Sequence, residues 1–432
     1  MTWGRRMATF AIAGTMTLAA CSSGPGYDNQ LGDAAFAGSH GDAHNSANSS
    51  IEGSRALKFA WSRPIGAPVA SGLAIAPEGL IYTTARTKAG CNVFAFQIES
   101  GRKKFCNKIS PASFASRPIS DAANNIYVGD DGAVLSFADY GPARWRTELT
   151  GSPVGSQFTP DGHLLVVTQL GEISVLNRYN GTRFVPSLKL AGDLNYSKTP
   201  DVPEMSPTVG LDSCISGGKW CLTSTVPAID LPTGRVIVTF WRPNTPEASV
   251  VSLKYTSGDK PGLKQEWSVP VLSKGTAVSP VISPDGKTVY VADNSGKLRA
   301  LDAATGSTKW SHDLGFIPQY GLSLQDGLIV PGGSEGHLVA IRDAGKSAEV
   351  AWERKDVELR GAPVLAAGGT GYIVARDGDT GLALVTFDVT SGKTVDHDAL
   401  PGATGTTLAT SIGPDKQVVV VTIIGELFTF AP

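Results

Sequence analysis

Charge is scarce in this 432-residue chain: Asp, Glu, Lys and Arg make up 18% of it, and 37 basic residues offset 39 acidic ones to a net charge of −2. No long basic run occurs, which removes the electrostatic case for nucleic acid as a partner. Histidine is thin as well, with six residues: His40 and His44 near the N-terminus, and His163, His312, His337 and His397 singly near turns. No phosphate-cradling loop, nucleophile motif or metal-ligand spacing stands out, so no catalytic residue and no metal is assigned and no cofactor is expected. The pairs Asp130-Asp131 and Asp377-Gly378-Asp379 read as surface turns. Cysteine is limited to five residues, none adjacent to another. Long apolar runs are missing except for residues 7–20, too short for an ordinary membrane-spanning helix.

Turn chemistry is what the chain has in abundance. It holds 50 Gly and 27 Pro, while hydrophobic residues at 41% are ample for a packed core. Residues 277–310 show the pattern at its clearest: four short extended runs broken by Pro284-Asp285-Gly286, Asn294-Ser295-Gly296 and Thr305-Gly306, an antiparallel meander. One such sheet is too small to fold alone, and the chain repeats it. Equivalent third strands end at 97, 138, 177, 254, 302, 342, 388 and 431, at intervals of 41, 39, 77, 48, 40, 46 and 43 residues. Intervals near 40–50 residues are those of four-stranded propeller blades. The expectation is an all-β, eight-bladed propeller over residues 56–432, with an insertion in the 77-residue interval at about 185–222.

Trp145, Trp267, Trp310 and Trp352 close their repeats, and Phe105 and Phe184 take the equivalent place. The eighth repeat has no fourth strand, whereas residues 57–63 around Trp61 form a spare one before the first repeat. Pairing the two would close the ring within one chain and remove an aggregation-prone edge. Such a ring is expected to be monomeric.

The run Asp302-Ala303-Ala304-Thr305-Gly306, followed by Trp310, resembles the repeat of quinoprotein-type (PQQ-like) eight-bladed propellers. The resemblance implies that the Trp of one repeat packs between blades and docks on an Asp-to-Thr-Gly turn. It therefore assigns structural docking roles to Trp61, Trp145, Trp267, Asp302, Gly306, Trp310 and Trp352. The same architecture is that of the β-barrel assembly lipoprotein (BamB-type) family of Gram-negative envelopes. Quinoprotein dehydrogenases also carry an adjacent-cysteine disulfide and long added loops, which this sequence does not have.

Arg5-Arg6, the apolar segment 7–20 and Leu18-Ala19-Ala20-Cys21 resemble a bacterial lipoprotein signal. The resemblance implies cleavage after residue 20 and lipid on Cys21, the alternative being an ordinary secretory signal with a chance Cys. Residues 21–55 are rich in Ser, Gly, Asn, Asp and Ala and are expected to be a flexible tether. Within it His40 and His44 fit a solvated linker better than a metal pair.

In an exported protein, Cys91 with Cys106 and Cys214 with Cys221 are expected to form disulfides. The second pair sits symmetrically about Gly217-Gly218, as in a short hairpin. In a propeller, connections from fourth to first strands and from second to third strands gather around one channel mouth. There Arg86, Lys88, Trp241, Arg242, Tyr320, Arg360 and Arg376 would make a rim of Arg and aromatic residues suited to recognition. The expected role is a lipid-anchored, non-catalytic scaffold for envelope proteins. It would stand on the outer leaflet of a plasma membrane or the periplasmic face of a two-membrane cell. The alternatives are a quinoprotein-type extracytoplasmic enzyme, or a receptor for a small envelope ligand such as a glycan.

Overall fold

Val418–Thr422, with the sequence VVVVT, is buried along its whole length, as are Leu164–Thr168 and Thr288–Ala292. Strands without a polar face need apolar cover on both sides, and each of these is an inner member of a four-stranded antiparallel sheet. The structure is a computed structural model that describes Met1, residues 36–192 and residues 210–432. Eight sheets follow one another along the chain, at residues 73–107, 119–148, 153–189, 228–273, 281–313, 322–358, 364–404 and 407–431. They are numbered blades 1 to 8 in that order, and the fold is the expected all-β, eight-bladed propeller. Sequence positions 2–20, Cys21 and part of the expected insertion lie outside the described residues.

The ring closes as the sequence predicts. The strand β1 (Asn48–Glu52) runs parallel to the inner strand of blade 7. The strand β2 (Lys58–Pro64) is the fourth strand of blade 8 and pairs antiparallel with Glu426–Ala431, Trp61 standing opposite Thr429.

Neighbouring blades are locked by one recurring contact. The indole of Trp61 donates to the Ile98 carbonyl at 2.8 Å, that of Trp145 to Arg178 at 2.9 Å, that of Trp267 to Ala303 at 3.1 Å and that of Trp352 to Val389 at 2.8 Å. Each acceptor lies in the turn of the next blade, whose glycine faces the ring. At Gly306, with φ +75°, an added Cβ would lie 2.7 Å from the Trp267 ring. Asp302 shapes that turn by accepting from the N–H groups of Ala304 and Thr305. Trp310 varies the scheme by donating to the Asp343 carboxylate at 2.8 Å. Blade 7 has Val395 where a Trp would stand. Its seam with blade 8 is held by Arg55, paired with Asp388 at 3.1 Å, and by the Leu57 N–H, which donates to Asp396 at 2.9 Å.

The flexible tether expected over residues 21–55 is corrected from Phe36 onward. Residues 36–47 wind once around the inside of the channel, and their carbonyls accept from one blade after another. Phe36 accepts from Ile75 of blade 1 (2.7 Å), Ala37 from Ser120 of blade 2 (2.8 Å), and Ala43 from Ile229 of blade 4 (2.6 Å). His44 accepts from Ile282 of blade 5 (3.0 Å), Ser46 from Leu324 of blade 6 (2.8 Å), and Ala47 from Leu365 of blade 7 (2.9 Å). Blade 3 joins through the Gln157 side chain, which donates to the Asp42 carbonyl at 3.1 Å. The innermost strands would otherwise present open N–H edges to the channel, and backbone groups out of water are satisfied nearly without exception. Small residues suit the crowded axis, and Phe36 at 1% exposure anchors the start. This segment plugs the propeller.

His40 and His44 are accordingly not in a solvated linker. His40 is buried with its Nε2 3.0 Å from Ser279 Oγ, and His44 lies 3.6 Å from Asp230.

Candidate functional site

The connections between blades meet at one end of the plugged channel. They enclose a cavity of about 160 Å³ lined by Ala70, Arg117, Ile215, Ser216, Ala277, Gln319, Tyr320 and Leu408. These residues come from the links entering blades 1, 2, 4, 5 and 6 and from the first strand of blade 8, the loop class that the sequence places at the mouth. Beneath it a void of about 10 Å³, room for one water, separates Arg117 from plug residues including Ala37, Asp42 and Asn45.

A cap crosses the mouth. The insertion between blades 3 and 4 contributes a short helix, α1 (Leu211–Ser216), which ends at Gly217 in the left-handed region, φ +67°. Both expected disulfides are present, but Cys214–Cys221 staples this helix to the irregular segment that follows it rather than two arms of a hairpin. A Gly-Gly pair serves a left-handed helix end as well as a two-residue turn, so the cysteine spacing alone fits either. Leu211, Cys214 and Cys221 bury against Ala112, Phe114 and Ala115 of the link between blades 1 and 2. Asp212 pairs with Arg86, whose guanidinium stacks 3.8 Å from the Phe114 ring centroid. On the far side Asn294 of blade 5 donates to the Ser216 carbonyl at 2.9 Å.

The predicted rim residues divide by what they touch. Tyr320 lines the cavity and holds a left-handed backbone, φ +68°, rare for an aromatic residue. Lys88 is exposed. Trp241 is half-buried: its N–H donates to Thr245 at 3.1 Å and its ring packs against Gly275. Arg242 lies with its guanidinium 5.7 Å from the Phe240 ring. Arg360 and Arg376 share the Glu358 carboxylate, Arg376 at 2.9 Å, which neutralises much of the charge they were expected to offer a partner.

The sequence reading missed Arg117. Its Nη1 donates to the carbonyls of Val154 (3.3 Å) and Ser224 (3.2 Å), and among the described residues no carboxylate pairs with it. Burial pulls its pKa down to about 10. The available signal was its place just before the first strand of blade 2, in the same loop class as the residues chosen. Exposed apolar residues in the mouth loops were also missed: Ile215 and Trp220 in the cap, Ile317 between blades 5 and 6, and Ile423 and Ile424 in blade 8, Ile424 reaching 57% exposure, while Tyr140 and Tyr179 are exposed in turns at the other end of the blades.

Among the described residues no group of three or more His, Cys, Asp or Glu side chains is placed to hold a metal ion, and no helix is long and apolar enough to cross a membrane.

A family model described as outer membrane protein assembly factor BamB matches residues 222–426. Protein Rv3035 of Mycobacterium tuberculosis is 36% identical over 400 residues, covering 91% of this chain and 95% of that protein. BamB from Moraxella catarrhalis has a similar solved structure, with a TM-score of 0.55 and 16% identity over 87% of this chain and 100% of that chain. A europium-containing methanol dehydrogenase gives a TM-score of 0.62 at 14% identity over 93% and 98%. At those identities the two solved structures share the fold alone. The identity to Rv3035 over nearly the full length of both proteins goes further: the chain belongs to the same family as Rv3035, in the form of an eight-bladed propeller with BamB-like repeats.

Proposed function

We propose that this protein is a non-catalytic, lipid-anchored propeller that docks other cell-envelope proteins on its mouth face. The observation that carries the reading is the plug. With residues 36–47 filling the axis, the propeller offers its loops rather than a deep channel, and those loops expose Ile215, Trp220, Ile317, Ile423 and Ile424. Exposed apolar side chains grouped on one face and rimmed by charge are typical of protein-docking surfaces. The name of the matching family, an assembly factor, supports the same role. Export and attachment through Cys21 rest on the signal-like N-terminus.

The quinoprotein alternative rests on fold. Dehydrogenases with this fold hold a quinone with a calcium ion over the channel, and the residues here do not fit that pair. The cavity under the cap, about 160 Å³, is lined by one cation and no carboxylate and is smaller than the roughly 300–1,000 Å³ usual for cofactor sites. The more open cleft of about 480 Å³ at Phe316 and Ser334 offers a single carboxylate, Glu335. No redox step follows from these residues.

Photo-crosslinking in intact cells tests the docking face. A crosslinking amino acid at Ile317 or Ile424 is expected to capture envelope proteins, and one at Lys287 or Ala304, in turns at the other end of the blades, is not. Equal capture from both ends would overturn the assignment.

A further inference from the structure

Among the described residues, Arg117 is a charge without a counter-charge. Two of its five N–H donors are taken by the carbonyls of Val154 and Ser224, and neutral carbonyls do not offset its charge. Arg117 is half-buried, and it lines a cavity rather than packed protein. Gln319 adds a second donor on the same cavity. Its carbonyl oxygen accepts from the Ser334 hydroxyl at 2.6 Å, leaving its amide N–H groups to serve another acceptor. Ala70, Ile215, Ala277 and Leu408 supply the apolar wall, and Ser216 and Tyr320 add two hydroxyl-bearing side chains.

We propose that Arg117 anchors a binding site for a small monocarboxylate, its anionic head on the guanidinium and its apolar body against Ala70, Ala277 and Leu408. The planar fork of an arginine matches a carboxylate in two parallel hydrogen bonds. Burial lowers the Arg117 pKa only to about 10, so the side chain stays cationic at neutral pH. A volume of about 160 Å³, below the roughly 300–1,000 Å³ of cofactor and drug-sized sites, suits a short-chain acid better than a nucleotide or a polycyclic cofactor. The α1 residues Ile215 and Ser216 form part of the wall, so an occupant would lie under the cap. This goes beyond the docking role and stands or falls separately from it.

Titration calorimetry on the full chain with butyrate, its neutral isostere butyramide and inorganic phosphate tests the site. Butyrate is expected to bind saturably, and butyramide at least tenfold more weakly. Arg117→Met, which keeps the apolar stem and removes the charge, is expected to lose butyrate binding at least tenfold. Ala277→Leu, which fills the cavity and leaves Arg117 in place, should do the same. If Arg117→Met does not fold, Ala277→Leu and the butyramide comparison decide the matter. Absence of saturable butyrate binding, equal affinity for butyramide, preferential binding of phosphate, or unchanged affinity in Ala277→Leu would each overturn the proposal.

Discussion

At Gly306 a single hydrogen sets how closely blade 4 can approach blade 5. Any larger side chain would meet the Trp267 ring at 2.7 Å and would also sit at φ +75°. Left-handed backbone costs a non-glycine residue about 1–2 kcal/mol, and overpacking adds about 1–3 kcal/mol. Gly306→Ala should therefore destabilise by about 2–5 kcal/mol in denaturant unfolding. Gly327, at φ +74° with nothing within 4 Å, isolates the backbone part, and Gly327→Ala should lose only about 1–2 kcal/mol. Equal losses would mean that the Trp267 contact contributes nothing. The docking residues were legible in the sequence because the motif is local: Asp302, Thr305, Gly306 and Trp310 stand at fixed spacing in one repeat. Arg117 was not, because its interest lies in having no paired carboxylate among the described residues, and that depends on distant parts of the chain.

At the scale of elements, β2 was readable for a topological reason: a fourth strand was missing at one end of the sequence and spare at the other. The plug was not readable, since a composition test counts apolar side chains. Residues 36–47 are held instead by main-chain hydrogen bonds to successive blades, each worth about 0.5–1.5 kcal/mol, together with the burial of Phe36. Nothing in Gly41, Asp42 or Asn45 announces that seven blades will bond to the segment they belong to. Hydrogen exchange separates the two pictures. The amides of Ile75, Ser120, Ile229, Ile282, Leu324 and Leu365, bonded to the plug or to its flanks, should exchange as slowly as core strand amides. In a chain lacking residues 36–52 these amides should lose protection and the unfolding midpoint should fall. An unchanged midpoint would make the segment a passenger in the channel.

For the whole molecule, the axis is where all blades meet, so a change of charge there acts on the entire ring. His40 sits at that point, its ring beside Ser279 and against Gly321. Burial, reinforced by the positive charge of Arg117, lowers its pKa from 6.5 to about 3. Between those values the unfolded chain binds a proton at His40 and the folded chain does not. Stability is therefore lost as pH falls through this window, by at most about 1.4 kcal/mol per pH unit from this residue. Asp42 acts in the opposite sense: burial raises its carboxyl above the usual 3.8, so its ionisation opposes folding as pH rises past that value. The contribution of His40 is isolated by comparison with His40→Asn, which keeps a polar group for Ser279 and cannot titrate. The wild-type curve of stability against pH should fall more steeply than that of the variant between pH 6.5 and 4, the gap widening by about 2 kcal/mol or more. Parallel curves would mean that His40 is protonated inside the folded ring, with its charge accommodated beside the cation of Arg117.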